Sequence, residues 1–278
     1  MKTLSVGHSP DADDAFMFYG LASGRVKVDG YAVDHVLEDI ESLNRRARGA
    51  ELDVTAISAA AYPSVASLYR IMSCGASVGR RYGPIVLARE PLSLAQLAGR
   101  RVAVPGEHTT AYLLFRLYMT AAFEPVLMDF EAIMDAVSSG GADAGVVIHE
   151  GQLTWPESGL HKLADLGDLW MNDTGLPIPL GLDVIRRGLG DAVMNAVARG
   201  LKDSIVLART HEEDAVDYAM QFGRGVDRET CRQFVRMYVN EDTVDMGDDG
   251  RRALETLYAR AVGRGILDQA PNLDILWV

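Results

Sequence analysis

Residues 140–155 read GGADAGVVIHEGQLTW, and an apolar run ends there on two ionisable side chains, His149 and Glu150. If that run is a buried strand, His149 lies at its carboxyl end, which is where α/β proteins open their ligand crevices. Histidine changes charge near neutral pH and is suited to general base work. On position alone, a loop histidine with a satisfied hydrogen bond would look the same. Alternation along the chain turns Glu150 away from its neighbour, so Glu150 is expected to orient loops and not to share the proton.

Three other stretches carry polar groups at similar places. In VPGEHTTAYLLF (104–115) a strand ends at Pro105-Gly106 and a helix starts at Thr109 or Thr110. The free N–H groups of a first helical turn, with two hydroxyls, make an anion site. Plain N-capping is the competing reading, although only one of the two threonines can be the N-cap. In SPDADDAFMFYG (9–20), Asp11, Asp13 and Asp14 either cap a helix and complement its dipole, or leave Ser9 and Asp14 facing a crevice to bind substrate hydroxyls. Three carboxylates suggest a metal, but the spacing is not of the EF-hand type and no partner histidine sits at a fixed offset, so no metal is expected. In TAISAAAYPS (55–64), Ser58 follows a strand and precedes small residues. Those residues either let the backbone approach a ligand or pack a helix on a sheet.

Composition narrows the partners. The chain has 278 residues, 48% of them hydrophobic, enough for a sizeable core, and a formal charge of −12. Such acidity repels phosphate backbones and anionic lipid, which argues against nucleic acid and membrane surfaces. An anionic small molecule would then need a locally favourable pocket. Cys74 and Cys231 lie far apart and are read as two reduced thiols, with no zinc-type spacing. The stretch MKTLSVGHSPDADDAF has no apolar core of a signal peptide, and no apolar run reaches ~18 residues, so a cytoplasmic location is expected. The glycine-bearing stretch 73–88 is read as a turn and matches neither a P-loop nor a G-x-G-x-x-G fingerprint. A G-x-S-x-G elbow is also missing from the sequence.

The elements that must position these groups alternate along the chain. Strands are expected over 3–9, 31–38, 52–58, 100–106, 125–130 and 142–148, with helices over 13–24, 39–50, 59–69, 109–123 and 130–140. Residues 190–265 read as helices with scarcely a strand. Pro/Gly-bearing joints at 89–101 and 174–181 suggest two lobes, with residues 1–90 and 186–278 in the first and 91–185 in the second. The crossings are expected near 88–100 and 178–188, with the site between the lobes.

Taken together, SPDADDAFMFYGL, LEDIESLN, ISAAAY, GPIVLAR, VAVPGEHTTAYLL, GVVIHEGQLTWP, TGLPIPLG and YVN (238–240) resemble the 1,4-dihydroxy-6-naphthoate synthase family of the futalosine route to menaquinone. The resemblance covers nearly the whole chain. It implies an α/β, two-lobed fold like type-2 periplasmic binding proteins, and a lyase that converts cyclic dehypoxanthinyl futalosine to the naphthoate without a cofactor. It also implies a catalytic base at His149 and substrate contacts at Ser9, Asp14, Ala56, Ile57, Ser58, Thr109 and Thr110. The family's first motif usually reads Ser-Pro-Cys-Pro-Asn-Asp-Thr-Phe. Here Ser9, Pro10, Asp14 and Phe16 are kept, while Asp11, Ala12, Asp13 and Ala15 replace the rest. Ala56 and Ile57 stand where a longer polar residue can occur. Two alternatives are carried beside this reading: a solute-binding protein of the same fold, in which His149 is only a ligand contact, and the sister enzyme chorismate dehydratase. A homodimer is carried as the possible assembly.

Overall fold

The computed structural model describes residues 2–278, which form twelve strands in two sheets. The strands are β1 (Lys2–His8), β2 (Tyr31–Leu37), β3 (Val54–Ser58), β4 (Tyr69–Met72), β5 (Ser77–Gly79), β6 (Ile85–Ala88), β7 (Arg101–Val104), β8 (Glu124–Leu127), β9 (Ala144–Val147), β10 (His161–Asp165), β11 (Ile178–Arg186) and β12 (Ile275–Leu276). The first sheet runs β12-β4-β11-β3-β1-β2, with β5 also paired to β11; the second runs β10-β6-β9-β7-β8. β1 lies parallel to β2 and β3, and β7 lies parallel to β8 and β9. β3 and β9 are buried at every position, which is why they read as unbroken apolar runs. β2, at the edge, keeps partly exposed residues throughout.

The helical tail covers the first sheet. The 20-residue helix Asp191–Thr210 packs on the first helix, Ala12–Ala22, with Met194, Val197, Leu201 and Ile205 joining Phe16, Met17 and Phe18 in one buried cluster. Gly20 permits this approach, because a Cβ there would stand 2.8 Å from the Ser204 backbone. Burying one full side chain of this kind contributes about 1.5–3 kcal/mol.

The two crossings between sheets lie at residues 80–84, between β5 and β6, and at 175–177, between the helix Leu166–Thr174 and β11. Both come earlier than expected. β6 pairs with β9 and β10, so residues 85–88 belong to the second sheet, and the segment 89–101 is a loop inside that lobe. The stretch from Ile178 onward is no joint but a strand held between β3 and β4 in the first sheet. Its Pro179 and Gly181 mimic a turn; they sit at a register shift against β5, a place where a strand tolerates them. Residues 73–88 likewise hold two strands rather than one turn. Gly167 is required at the crossing, since a Cβ there would lie 2.1 Å from the Tyr82 carbonyl oxygen. The helix expected to reach 123 stops at Tyr118, and the chain turns back so that Phe123 packs edge-on against Phe115 at 4.9 Å.

Candidate active site

The carboxyl ends of β1, β3, β7 and β9 all open on one cleft between the two sheets. It encloses about 720 Å³ counting its open mouth. His149, Ser9, Asp14, Ala56, Ile57, Ser58, Thr109 and Thr110 all line it. The sequence therefore brings every expected site residue to one place. Asp11, Asp13, Gln152, Phe234 and Tyr238 line it as well.

His149 follows β9 by two residues and has φ 55°, in the left-handed region that a non-glycine residue rarely occupies. Such strain costs on the order of 1–3 kcal/mol and collects at functional sites. The strand alternation expected for His149 and Glu150 is broken by this turn. The ring packs against Phe130 with centroids 4.5 Å apart. Nδ1 lies 3.2 Å from Asp11 Oδ2, and Nε2 is buried with no hydrogen-bond partner. Glu150 is buried and pairs with Arg224 at 2.9 Å. Arg224 also meets Glu131 at 2.8 Å, donates to the Pro10 carbonyl at 3.2 Å and lies over the Phe130 ring at 4.7 Å. Glu150 is thus held by a distant cation, Arg224, and not set by the strand alternation from which its role was expected. Nothing in the sequence around Arg224 marks it; it sits in a turn between helices.

On the first sheet's side, Asp11 is the N-cap of Ala12–Ala22, its Oδ1 accepting the Asp14 N–H at 3.3 Å. Asp14 Oδ2 accepts the Ser9 N–H at 2.6 Å, and the Ser9 hydroxyl is buried without a partner. Burial pushes Asp14 well above the usual carboxylate range, helped by the charges of Asp11 and Asp183. Asp13 is likewise raised by burial and by Asp11 and Asp14. For Asp11, burial acts upward, but the nearby His149 above all, with the polar groups of Asp13 and Ser9 and the charge of Arg224, outweighs it and holds the carboxyl below its ordinary value. Asp183 lies under the cleft floor against Gly75, with both oxygens unpartnered, and burial raises it to about 8. Burial and mutual repulsion thus favour the uncharged forms of Asp13, Asp14 and Asp183.

The remaining polar groups divide by whether they are already engaged. Thr109 is the N-cap of Thr110–Tyr118; its hydroxyl donates to the Gly106 carbonyl at 2.9 Å and accepts the Tyr112 N–H at 3.3 Å. The Thr110 hydroxyl donates to the Leu180 carbonyl at 2.6 Å and accepts the Ala60 N–H at 3.1 Å, joining the two sheets. Neither threonine hydroxyl has a proton left to give, and the first-turn N–H groups of Thr110 and Ala111 are the donors that a helix leaves open there. Ser58 accepts from Asn44 Nδ2 at 3.2 Å and keeps its own proton for a ligand. Tyr238 donates to Gln152 Oε1 at 2.6 Å across the cleft. Ile57, Ile148, Leu180, Leu182, Pro84 and Phe234 supply apolar surface. Tyr238 falls in the YVN motif and Gln152 in GVVIHEGQLTWP, so both were visible as motif members but not as wall residues.

Asp11, Asp13 and His149 each place one possible donor atom for a cation within 4.8 Å of the others, the one such group among the described residues. Within this group Asp11 Oδ2 and the imidazole Nδ1 are in direct contact at 3.2 Å. No helix among the described residues is long and apolar enough to cross a membrane. Cys74 and Cys231 are free and buried.

Comparison with known proteins adds to this geometry. A family model described as menaquinone biosynthesis matches residues 4–262. The chain is 41% identical over 272 residues, 98% of each sequence, to a protein of Thermus thermophilus named 1,4-dihydroxy-6-naphtoate synthase. A solved structure from Archaeoglobus fulgidus superimposes with a TM-score of 0.91 at 46% identity, covering 95% of this chain and 98% of that one. The periplasmic aliphatic sulphonate binding protein of Escherichia coli superimposes with a TM-score of 0.67 at 13% identity over 98% of this chain and 91% of that one, a likeness of fold alone. The fold is thus the two-lobed type-2 periplasmic-binding-protein-like architecture, as the sequence resemblance implied.

Proposed function

This chain belongs to the menaquinone-biosynthesis family, and we propose that it acts there as a 1,4-dihydroxy-6-naphthoate synthase, converting cyclic dehypoxanthinyl futalosine to the naphthoate with His149 as general base. The observation that carries the reading is the placement of His149: an imidazole on a strained turn, lining the interlobe cleft, with Nε2 left unpartnered. In the proposed step Nε2 takes a proton from a carbon of the bound substrate. The C–H electron pair becomes a new ring double bond as the bond from the ring to the non-aromatic remainder of the substrate breaks; that fragment leaves with the bonding electrons and takes up the proton from the imidazolium, which restores His149. Aromatisation supplies driving force, so a positioned base and an oriented substrate are sufficient catalysts.

The rest of the cleft suits such a substrate. Apolar walls accept a fused ring, and Ser9, Ser58 and Gln152 offer hydrogen bonds to hydroxyls. The acidity of the chain does not bar an anionic group, because burial favours the uncharged forms of Asp13 and Asp14 and the first-turn amides at Thr110 attract negative charge. A solute-binding role would need no unpartnered base in the cleft. Two free, buried thiols support a cytoplasmic setting, and sedimentation would decide whether two copies associate. The test is incubation of the purified protein with cyclic dehypoxanthinyl futalosine. Appearance of the naphthoate by absorbance and mass is expected, and unchanged substrate would refute the proposal.

A further inference from the structure

His149 and Asp11 come from opposite sheets and meet across the cleft at 3.2 Å. The helix cap delivers Asp11. Its Oδ1 is held by the Asp14 N–H, which leaves Oδ2 for the imidazole. On the other side the left-handed turn and the Phe130 ring fix the plane of His149. Both residues are largely buried, with side chains 3% and 14% exposed, so water competes little for the contact. A neutral imidazole has one N–H and one lone pair, and the partner of one nitrogen decides which is which.

We propose that Asp11 is a positioning residue for His149: its carboxylate accepts the Nδ1–H, which selects the tautomer whose lone pair is on Nε2 and steadies the imidazolium once Nε2 has taken a proton. The inference rests on the base role proposed above. It explains why Nε2 is the nitrogen without a partner, and it makes the base depend on closure, because the dyad forms only when the two sheets bring Asp11 and His149 together. Asp13, next to both, is a further carboxyl facing the pair, and the ion pair of Glu150 from the second lobe with Arg224 from the first flanks it.

The test uses Asp11→Asn and Asp11→Ser in the full-length protein. Both residues are as good at an N-cap as Asp, so the first helix is kept; Asn removes the charge, and Ser removes the reach to the imidazole. Nitrogen-15 spectra of labelled histidine at alkaline pH, without substrate, read the tautomer, with His149→Asn assigning the signal among the six histidines. In the parent, Nδ1 should be protonated and Nε2 bare; in both variants an Nε2-protonated population should appear. With substrate, kcat should fall about 10²–10⁴-fold, the scale of losing the partner of a catalytic histidine, while KM stays within about threefold. An unchanged tautomer, or an unchanged kcat despite a changed tautomer, overturns the proposal. So does activity abolished by a chelator and restored by a divalent cation, which would make Asp11 a ligand. If the parent yields no naphthoate, the function proposed above fails, while the spectra still decide the Asp11–His149 contact.

Discussion

The two walls of the cleft handle buried ionisable groups in opposite ways. The first wall, at the ends of β1 and β11, holds Asp13, Asp14 and Asp183 with no arginine or lysine bonded to them, and burial raises all three. His8, at the end of β1, is lowered to about 4 by burial and by the neighbouring His35. The second wall's Glu150 is buried too, but Arg224, reaching over from the first lobe, meets it directly. Three acids of one wall are pushed toward their uncharged forms, and the acid of the other is held by a cation from across the cleft. The general point is that a buried acid's neighbours, more than its residue type, decide whether it contributes charge, a proton or architecture.

The largest expected effect falls on the residue between the walls. His149→Asn should lower kcat about 10²–10⁴-fold, the usual worth of a positioned acid–base group, with substrate affinity nearly unchanged. Asn is among the residues that tolerate a left-handed backbone, so the fold should survive; steady-state kinetics checks this against circular dichroism of the variant.

Breaking the second wall should cost stability. Arg224→Met leaves Glu150 buried and unpaired and releases the tie to Pro10. A loss of about 3 kcal/mol is expected, at the lower end for a broken buried pair because the Arg224 side chain is 22% exposed. Denaturant titration would show it, and an unchanged midpoint would mean that the pair is not structural.

The first wall predicts a pH effect with a definite sign. The unfolded His8 takes up a proton near the ordinary histidine value of 6.5, whereas the folded one does so only at about 4. Between these values the unfolded state binds more protons, so the His8 contribution is complete above about 6.5 and is lost as pH falls toward 4. The full loss is about 3 kcal/mol. His8→Gln should flatten stability across that window relative to the parent.

Much of this was legible because strand ends and helix starts carry local signals. The run GVVIHE, the Pro-Gly-Glu-His-Thr-Thr sequence and the Asp-rich helix start each named their element correctly, and β9, β7 and β1 deliver His149, Thr110 and Ser9 to one cleft. What escaped depended on partners distant in sequence. Asp11 looked like a cap and is one, but its second oxygen meets a residue 138 positions further along the chain, His149. Arg224 meets Glu150 from a turn that has no pattern of its own. β11 was hidden because Pro179 and Gly181 speak locally for a turn, while the sheet around them imposes a strand.

The smallest expected effect concerns the tie between the walls. Thr110→Val keeps the shape and removes two hydrogen bonds, to Leu180 and from Ala60. About 1–2 kcal/mol is expected, seen as a KM raised about tenfold with kcat within a factor of about two. A fall in kcat instead would mean that Thr110 acts on the reacting atoms.

The central claim is that substrate bound in this cleft waits for the Nε2 of His149. It is tested most directly by loading His149→Asn with cyclic dehypoxanthinyl futalosine, removing free ligand, and denaturing the complex for mass spectrometry beside the parent treated in the same way. The account predicts intact cyclic substrate from the variant and the naphthoate from the parent. Naphthoate recovered from the variant at the parent's rate would contradict it.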